Sequence, residues 1–217
     1  GVAGRECGNG VMLRHEGGWT TQYCHMARGS IAGAKGETVT RGRPLGRIGL
    51  SGATEFAHLH FAVHDPEGRI VDPFDGRQMD HLCSLPERES LWVEAPAYAG
   101  GGALAAGFAA GVPDYGAVKD GRAGRARLPE EAPAIVFWAH FYGLREGDVI
   151  ALRLTGPDGA VLVEDAHRME RTRAQQFRAA GRRGNGAWAA GVYRGEAALL
   201  RGEAVHARIA ASVVVGR

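Results

Sequence analysis

From Phe56 to Val63 the chain alternates with a period of two, and Ala57, Leu59, Phe61 and Val63 share one phase. That pattern fits a half-buried β-strand and no other regular element, because successive side chains of a strand point to opposite faces. His58 and His60 occupy the other phase, so two imidazoles project side by side from one face of a sheet. Such a pair suits a metal site, and it equally suits a satisfied structural pair. Glycine accounts for 34 of 217 residues, about twice the usual share of roughly 7%, which fits many tight turns between strands and argues against a helical bundle.

A second histidine lies at the end of a strand upstream. Val11 to His15 and Trp19 to His25 are β-prone runs separated by Glu16-Gly17-Gly18, and paired glycines between such runs signal a hairpin. If Gly17-Gly18 forms a two-residue loop, facing residues sum to about 35, and Cys24 stands opposite Val11. Gly8-Asn9-Gly10 can then fold Cys7 back against Cys24, and a disulfide there suits an oxidising compartment such as the periplasm. Two unpaired small hydrophobes are the plain alternative. A cysteine acting near His25 as nucleophile or ligand is another, although nothing nearby supplies the third group that a Cys-His pair needs. Cys83 is left over.

Cys7-Gly8-Asn9-Gly10-Val11, then Gln22-Tyr23-Cys24-His25-Met26, then the rhythm of Gly36, Val39, Gly42, Leu45, Gly46, Gly49, Ser51 and Gly52 lead in order to His58-Leu59-His60-Phe61 and Val71-Asp72-Pro73-Phe74. This ordered set, over about residues 1 to 75, resembles the C-terminal half of the catalytic domain of the M23 (LytM/lysostaphin-type) zinc endopeptidases, enzymes that cleave peptidoglycan. The resemblance implies that His60 is a zinc ligand and that His25 and His58 are the two active-site histidines that do not bind the metal. It also implies two further ligands, from an upstream His-x-x-x-Asp motif that this sequence does not contain. The expectation is therefore an N-terminally truncated chain that binds Zn2+ weakly or not at all and is inactive as it stands. A catalytic zinc needs about three protein ligands and brings the pKa of its bound water to roughly 7. Attack on a peptide carbonyl then calls for a donor to the oxyanion and a group that carries a proton near neutrality, and imidazole meets both demands. Which of His25 and His58 takes which role is open.

The remaining histidines read as structural. His64 ends the strand before the turn signal Asp65-Pro66-Glu67-Gly68, His15 precedes a hairpin turn, and His81, His140, His167 and His206 have no partner motif. Asp72 precedes a proline and has a ready turn-forming role. A net charge of +2 gives no reason to expect nucleic acid as a partner. The run from Arg168 to Arg183 holds a single aromatic, Phe177, and reads as a solvated face. No stretch of about 18 apolar residues is present to cross a membrane.

The expected fold class is all-β: residues 1–85 as a partial M23-type (duplicated hybrid motif) sheet domain, 86–133 as a connecting segment with a possible first strand of the second domain, and 134–217 as an immunoglobulin-like β-sandwich. Strand runs at Ala134–Phe141, Asp148–Leu154, Ala160–Glu164, Trp188–Tyr193 and Val205–Val215 support the sandwich, with Asp165 to Ala180 read as a helix or an irregular excursion. The expected activity is hydrolysis of peptidoglycan stem-peptide cross-links by a periplasmic or secreted zinc metallopeptidase of the cell envelope. A non-catalytic LytM-type activator that binds a cell-wall amidase is the first rival. A lipoyl-type carrier is the second, weakened because Lys35 lacks carrier-type neighbours and the three histidines would go unused.

Overall fold

A computed structural model describes residues 3–78 and 90–216, and the chain separates into two compact units, Gly1–Ala97 and Tyr98–Arg217. His81 and Cys83 lie outside the described residues. In the first unit β1 (Asn9–Arg14), β2 (Thr20–Met26), β3 (His60–His64) and β4 (Ile70–Val71) form one antiparallel sheet in that order. Its buried apolar side chains are few: Cys24, Met26, Ala62, Val63 and Val71.

The β1–β2 hairpin differs from a two-residue loop. Glu16–Gly18 makes a single 3-10 turn in which Gly17 and Gly18 take φ of 68° and 83°, and the N–H of His15 donates to the carbonyl of Trp19 at 2.8 Å. Two left-handed residues in succession are what only glycines adopt freely. The longer connection pairs Arg14 with Thr20 and Val11 with Tyr23, so Val11 does not face Cys24. Asn9 pairs with Met26 next along, which leaves Gly10 alone on β1 against both Cys24 and His25 on β2. That two-against-one mismatch is a β-bulge, a device that re-aims a strand's side chains. Cys7 and Cys24 form a disulfide across it, with Cα atoms 4.8 Å apart. A Cβ on Gly10 would stand 2.6 Å from Cys7 Sγ and 2.7 Å from the Tyr23 carbonyl oxygen, so the close approach depends on glycine.

The alternating run yields a shorter strand than its pattern suggests. β3 begins at His60, His58 makes only an isolated backbone bridge to Gly49 outside the sheet, and Leu59 is exposed. The cause is local. The Thr54 hydroxyl donates to the Phe56 carbonyl at 2.8 Å and turns the chain there, so the alternation upstream of His58 has no partner strand to lie on.

The second unit stacks two sheets. One has the order β10 (Arg173–Arg183), β7 (Ala134–Leu144), β5 (Gly102–Ala109); the other has β6 (Arg127–Leu128), β12 (Ala204–Val215), β11 (Gly191–Arg201), β8 (Val149–Thr155), β9 (Val161–Arg168). Phe108, Phe137 and Phe141 from the first sheet pack with Ile150, Leu154, Tyr193, Leu199 and Val213 from the second in one apolar core. The small-residue run after Gly100 is a full strand of the sandwich, pairing with β7 from Gly102 to Ala109. Asp165 to Ala180 is neither helix nor excursion but the end of β9, a turn, and most of β10. Pairing with β7 over Arg173 to Arg183 overrides the weak strand propensity of its Arg and Gln residues. On the outer face of the three-stranded sheet sits α1 (Tyr115–Lys119), capped by the Asp114 carboxylate accepting from the Ala117 N–H. Its Val118 is buried in a small cluster with Ala123 and Trp138.

Candidate functional site

His25 occupies the second bulge position, and it is the one non-glycine among the described residues with positive φ, at 63°. A side chain in that conformation is strained by about 1–2 kcal/mol, although histidine tolerates it better than branched residues. Three hydrogen bonds hold it there: its N–H donates to the Cys7 carbonyl at 2.9 Å, its carbonyl accepts from the Gly49 N–H at 2.9 Å, and its Nδ1 meets the Ser51 carbonyl at 2.8 Å. The disulfide reinforces this clamp, bonding Cys7, whose carbonyl accepts the His25 N–H, to Cys24, the residue before His25.

The bulge brings the buried His25 ring against both imidazoles of the His-x-His pair. Ring centroids are 4.9 Å apart for His25 and His58, and 5.7 Å for His25 and His60, the latter edge-on. His60 leads β3, exposed, directly across the ladder from Cys24. His58 packs against the Phe56 ring at 4.9 Å, and its Nδ1 lies 2.9 Å from the Phe56 carbonyl oxygen and 3.1 Å from Thr54 Oγ1.

These partners decide the tautomers. A carbonyl oxygen only accepts, so the ring nitrogen that faces one carries the proton. His25 and His58 are therefore both Nδ1–H imidazoles when neutral, and each keeps its Nε2 lone pair for other work. Such an Nε2 takes a proton when neutral and donates to a developing oxyanion when charged.

Ser51 is the hub beneath His25. Besides offering its carbonyl to Nδ1, it donates its hydroxyl to the Met26 carbonyl at 2.7 Å and accepts the Asn9 N–H at 2.9 Å, so one side chain ties together both strands of the bulge. Gly52 follows at φ 79°, where a Cβ would fall 2.1 Å from the Glu6 carbonyl oxygen. Sequence reasoning gave neither Ser51 nor Thr54 a role. The signal present was Thr54 four residues before His58, a spacing that suits a local turn, with nothing to say that the hydroxyl would reach an imidazole.

The other polar candidates stay apart. His15 binds Thr21 Oγ1 at 2.8 Å on the exposed side of the hairpin, and Asp72 accepts the Phe74 N–H at 2.8 Å in a turn. His64 has Nδ1 3.5 Å from the Gly68 carbonyl oxygen. In the second unit His140 is buried, with Nε2 at 3.1 Å from Gln175 Oε1 and 3.4 Å from the Tyr115 hydroxyl; burial pushes its pKa down.

The sequence model of peptidase family M23 matches residues 2–73. The N-terminal part of the chain belongs to that family. No curated protein matches the chain. The M23 segment takes in the bulge, the disulfide and all three gathered histidines. Zinc, the ion expected from the resemblance, is a different matter. Among the described residues no set of three His, Cys, Asp or Glu side chains is placed to hold a metal ion, and a catalytic zinc needs about three such donors. His60 brings one exposed imidazole, while His25 and His58 have Nδ1 engaged with carbonyls. The described residues do not by themselves fit the ion, and the chemistry that the imidazoles offer is proton transfer and hydrogen-bond donation. No helix among the described residues is long and apolar enough to cross a membrane.

Proposed function

We propose that the M23 part of this protein serves the hydrolysis of peptide cross-links in bacterial peptidoglycan, in the periplasm or outside the cell, with His25 and His58 as the reacting imidazoles. The observation that carries this reading is the bulge at Gly10. It turns a histidine of one strand against the His-x-His pair of the next, and both inward rings are fixed in the tautomer that bares Nε2. One Nε2 hands a proton to the leaving amine and the other steadies the oxyanion. His60 is assigned to zinc by resemblance, with the other donors to come from beyond the described residues. The disulfide supports an oxidising compartment.

Muropeptide release from purified sacculi, with zinc supplied, tests the reading on the gene product that carries this chain. His25→Ala and His58→Ala should each lower its release by about 100-fold or more. Release unchanged by both substitutions would remove the imidazoles from the reaction. A second reading, an activator that binds a cell-wall amidase without turnover of its own, is favoured by the lack, among the described residues, of three side chains placed for a metal ion. It predicts no release by the gene product alone and a gain in release when an amidase is added.

A further inference from the structure

We infer that Thr54 is a positioning residue that acts through His58, its hydroxyl completing the acceptor pair that fixes the imidazole as the Nδ1–H tautomer. The geometry is a closed triangle. Thr54 Oγ1 donates its proton to the Phe56 carbonyl at 2.8 Å, and His58 Nδ1 sits 2.9 Å from that same carbonyl oxygen and 3.1 Å from Oγ1. With the hydroxyl proton committed to Phe56, both oxygens turn lone pairs toward Nδ1, and only an N–H there is satisfied. An Nδ1 without its proton would face the Phe56 carbonyl as a second acceptor, and the hydroxyl could meet it only by giving up its own bond to Phe56.

Thr54 also shapes what it orients. The segment from Thr54 to His58 has one backbone bridge, His58 to Gly49, which in turn donates to the His25 carbonyl of β2, and the hydroxyl bond to Phe56 is the side-chain tie that helps set where the His58 backbone lies. His25 provides the contrast within the same site. The Ser51 carbonyl that meets its Nδ1 sits on a segment held to both strands of the bulge, whereas the Phe56 carbonyl that meets His58 Nδ1 is itself held by the Thr54 hydroxyl, so deleting Oγ1 removes one partner and frees the other to shift. The consequence for reaction rests on the reading of His58 as a reacting imidazole: an Nε2–H tautomer has no lone pair on the side where a proton must be received.

The test separates the two ideas. In the full chain, uniformly labelled with 15N and held at about pH 8 where an ordinary histidine is neutral, two- and three-bond couplings from ring protons to nitrogens report each tautomer. Wild type and Thr54→Ser should show His58 as a single Nδ1–H form. Thr54→Val should show a mixture, with His25 unchanged in all three and the Cys7–Cys24 linkage intact. If Thr54→Val does not fold, Thr54→Ala is read in the same way. A single Nδ1–H signature in the hydroxyl-free variant, or a mixture that Thr54→Ser does not correct, overturns the proposal. In the gene product that carries this chain Thr54→Val should lower kcat by roughly 10- to 100-fold with KM little changed, and Thr54→Ser should restore it. Absence of any release by the wild-type protein would sink the peptidase reading while the nitrogen signals still decide the role of Thr54.

Discussion

Gly52 matters to the site although it carries no side chain. Its φ of 79° is strained for any other residue, and a Cβ would also drive into the Glu6 carbonyl and the backbone of Cys7 and Gly8, the segment that carries the clamp on His25. Gly36 has a similar φ of 87° with open space around it. The pair separates conformational strain from collision. Gly36→Ala should destabilise by about 1 kcal/mol, and Gly52→Ala by about 2–4 kcal/mol because overpacking adds to the strain. Urea unfolding of the two variants checks this, and equal losses would show that the loop yields at no expense. At this scale the histidines were legible in sequence because period-two alternation and strand ends are local properties. Thr54 and Ser51 were not, since their partners are an imidazole turned by a local bend and carbonyls brought in from β2, and neither leaves a mark in composition.

The β1–β2 bulge is the element on which the site depends, and the disulfide is its fastener. Cys7 and Cys24 are 17 residues apart, and closing a loop of that size stabilises by about 3 kcal/mol. A Cys7→Ser, Cys24→Ser double variant should lose about that much under oxidising conditions and match the wild type once both are reduced. Peptide mapping without reduction should recover the two cysteines in one linked species. A linkage of either to Cys83 would contradict the fold of the hairpin. The disulfide was within reach of the sequence even though the register behind it was not: a loop counted as two residues is a 3-10 turn, which moves every facing pair by one, and the bulge then returns Cys24 to a position that Cys7 can reach. Similar physics explains β9 and β10. The strands from Ala134 onward were readable where apolar residues alternate, whereas β10, with Arg173, Gln175, Gln176 and Arg178, becomes a strand through its long pairing with β7, a partner that local patterning does not reveal.

The second unit responds to acid through two buried ionisable groups that pull the same way at different pH. His140 lies under α1 among Tyr115, Gln175 and Lys119. Burial lowers its pKa, the Gln175 hydrogen bond opposes that, and the Lys119 charge adds to the lowering, so the folded state binds fewer protons than the unfolded chain once pH falls below about 6.5. Stability rises with pH wherever the unfolded state holds more protons, so this group destabilises the fold progressively as pH drops from about 6.5 toward its folded value. Asp148 acts lower. Burial raises its pKa, but two hydrogen bonds from Arg201, one from the Arg145 N–H, and the charges of Arg201 and His206 outweigh that, and the net direction is down. A carboxylate with a depressed folded pKa contributes stability that is present above about 3.8 and lost as pH falls through the folded value. The expected outcome is a decline in two stages. Urea midpoints followed on the core methyls of Ile135 and Ile150 should fall between about pH 7 and pH 5, and fall again below about pH 4. His140→Gln should flatten the first stage and leave the second, because Gln keeps a polar atom for Gln175 without a titrating charge. Asp148→Asn should lower stability at neutral pH, where it leaves the Arg201 guanidinium without its counter-charge, and should flatten the second stage. A first stage that survives His140→Gln at full size would place the acid response on some other group.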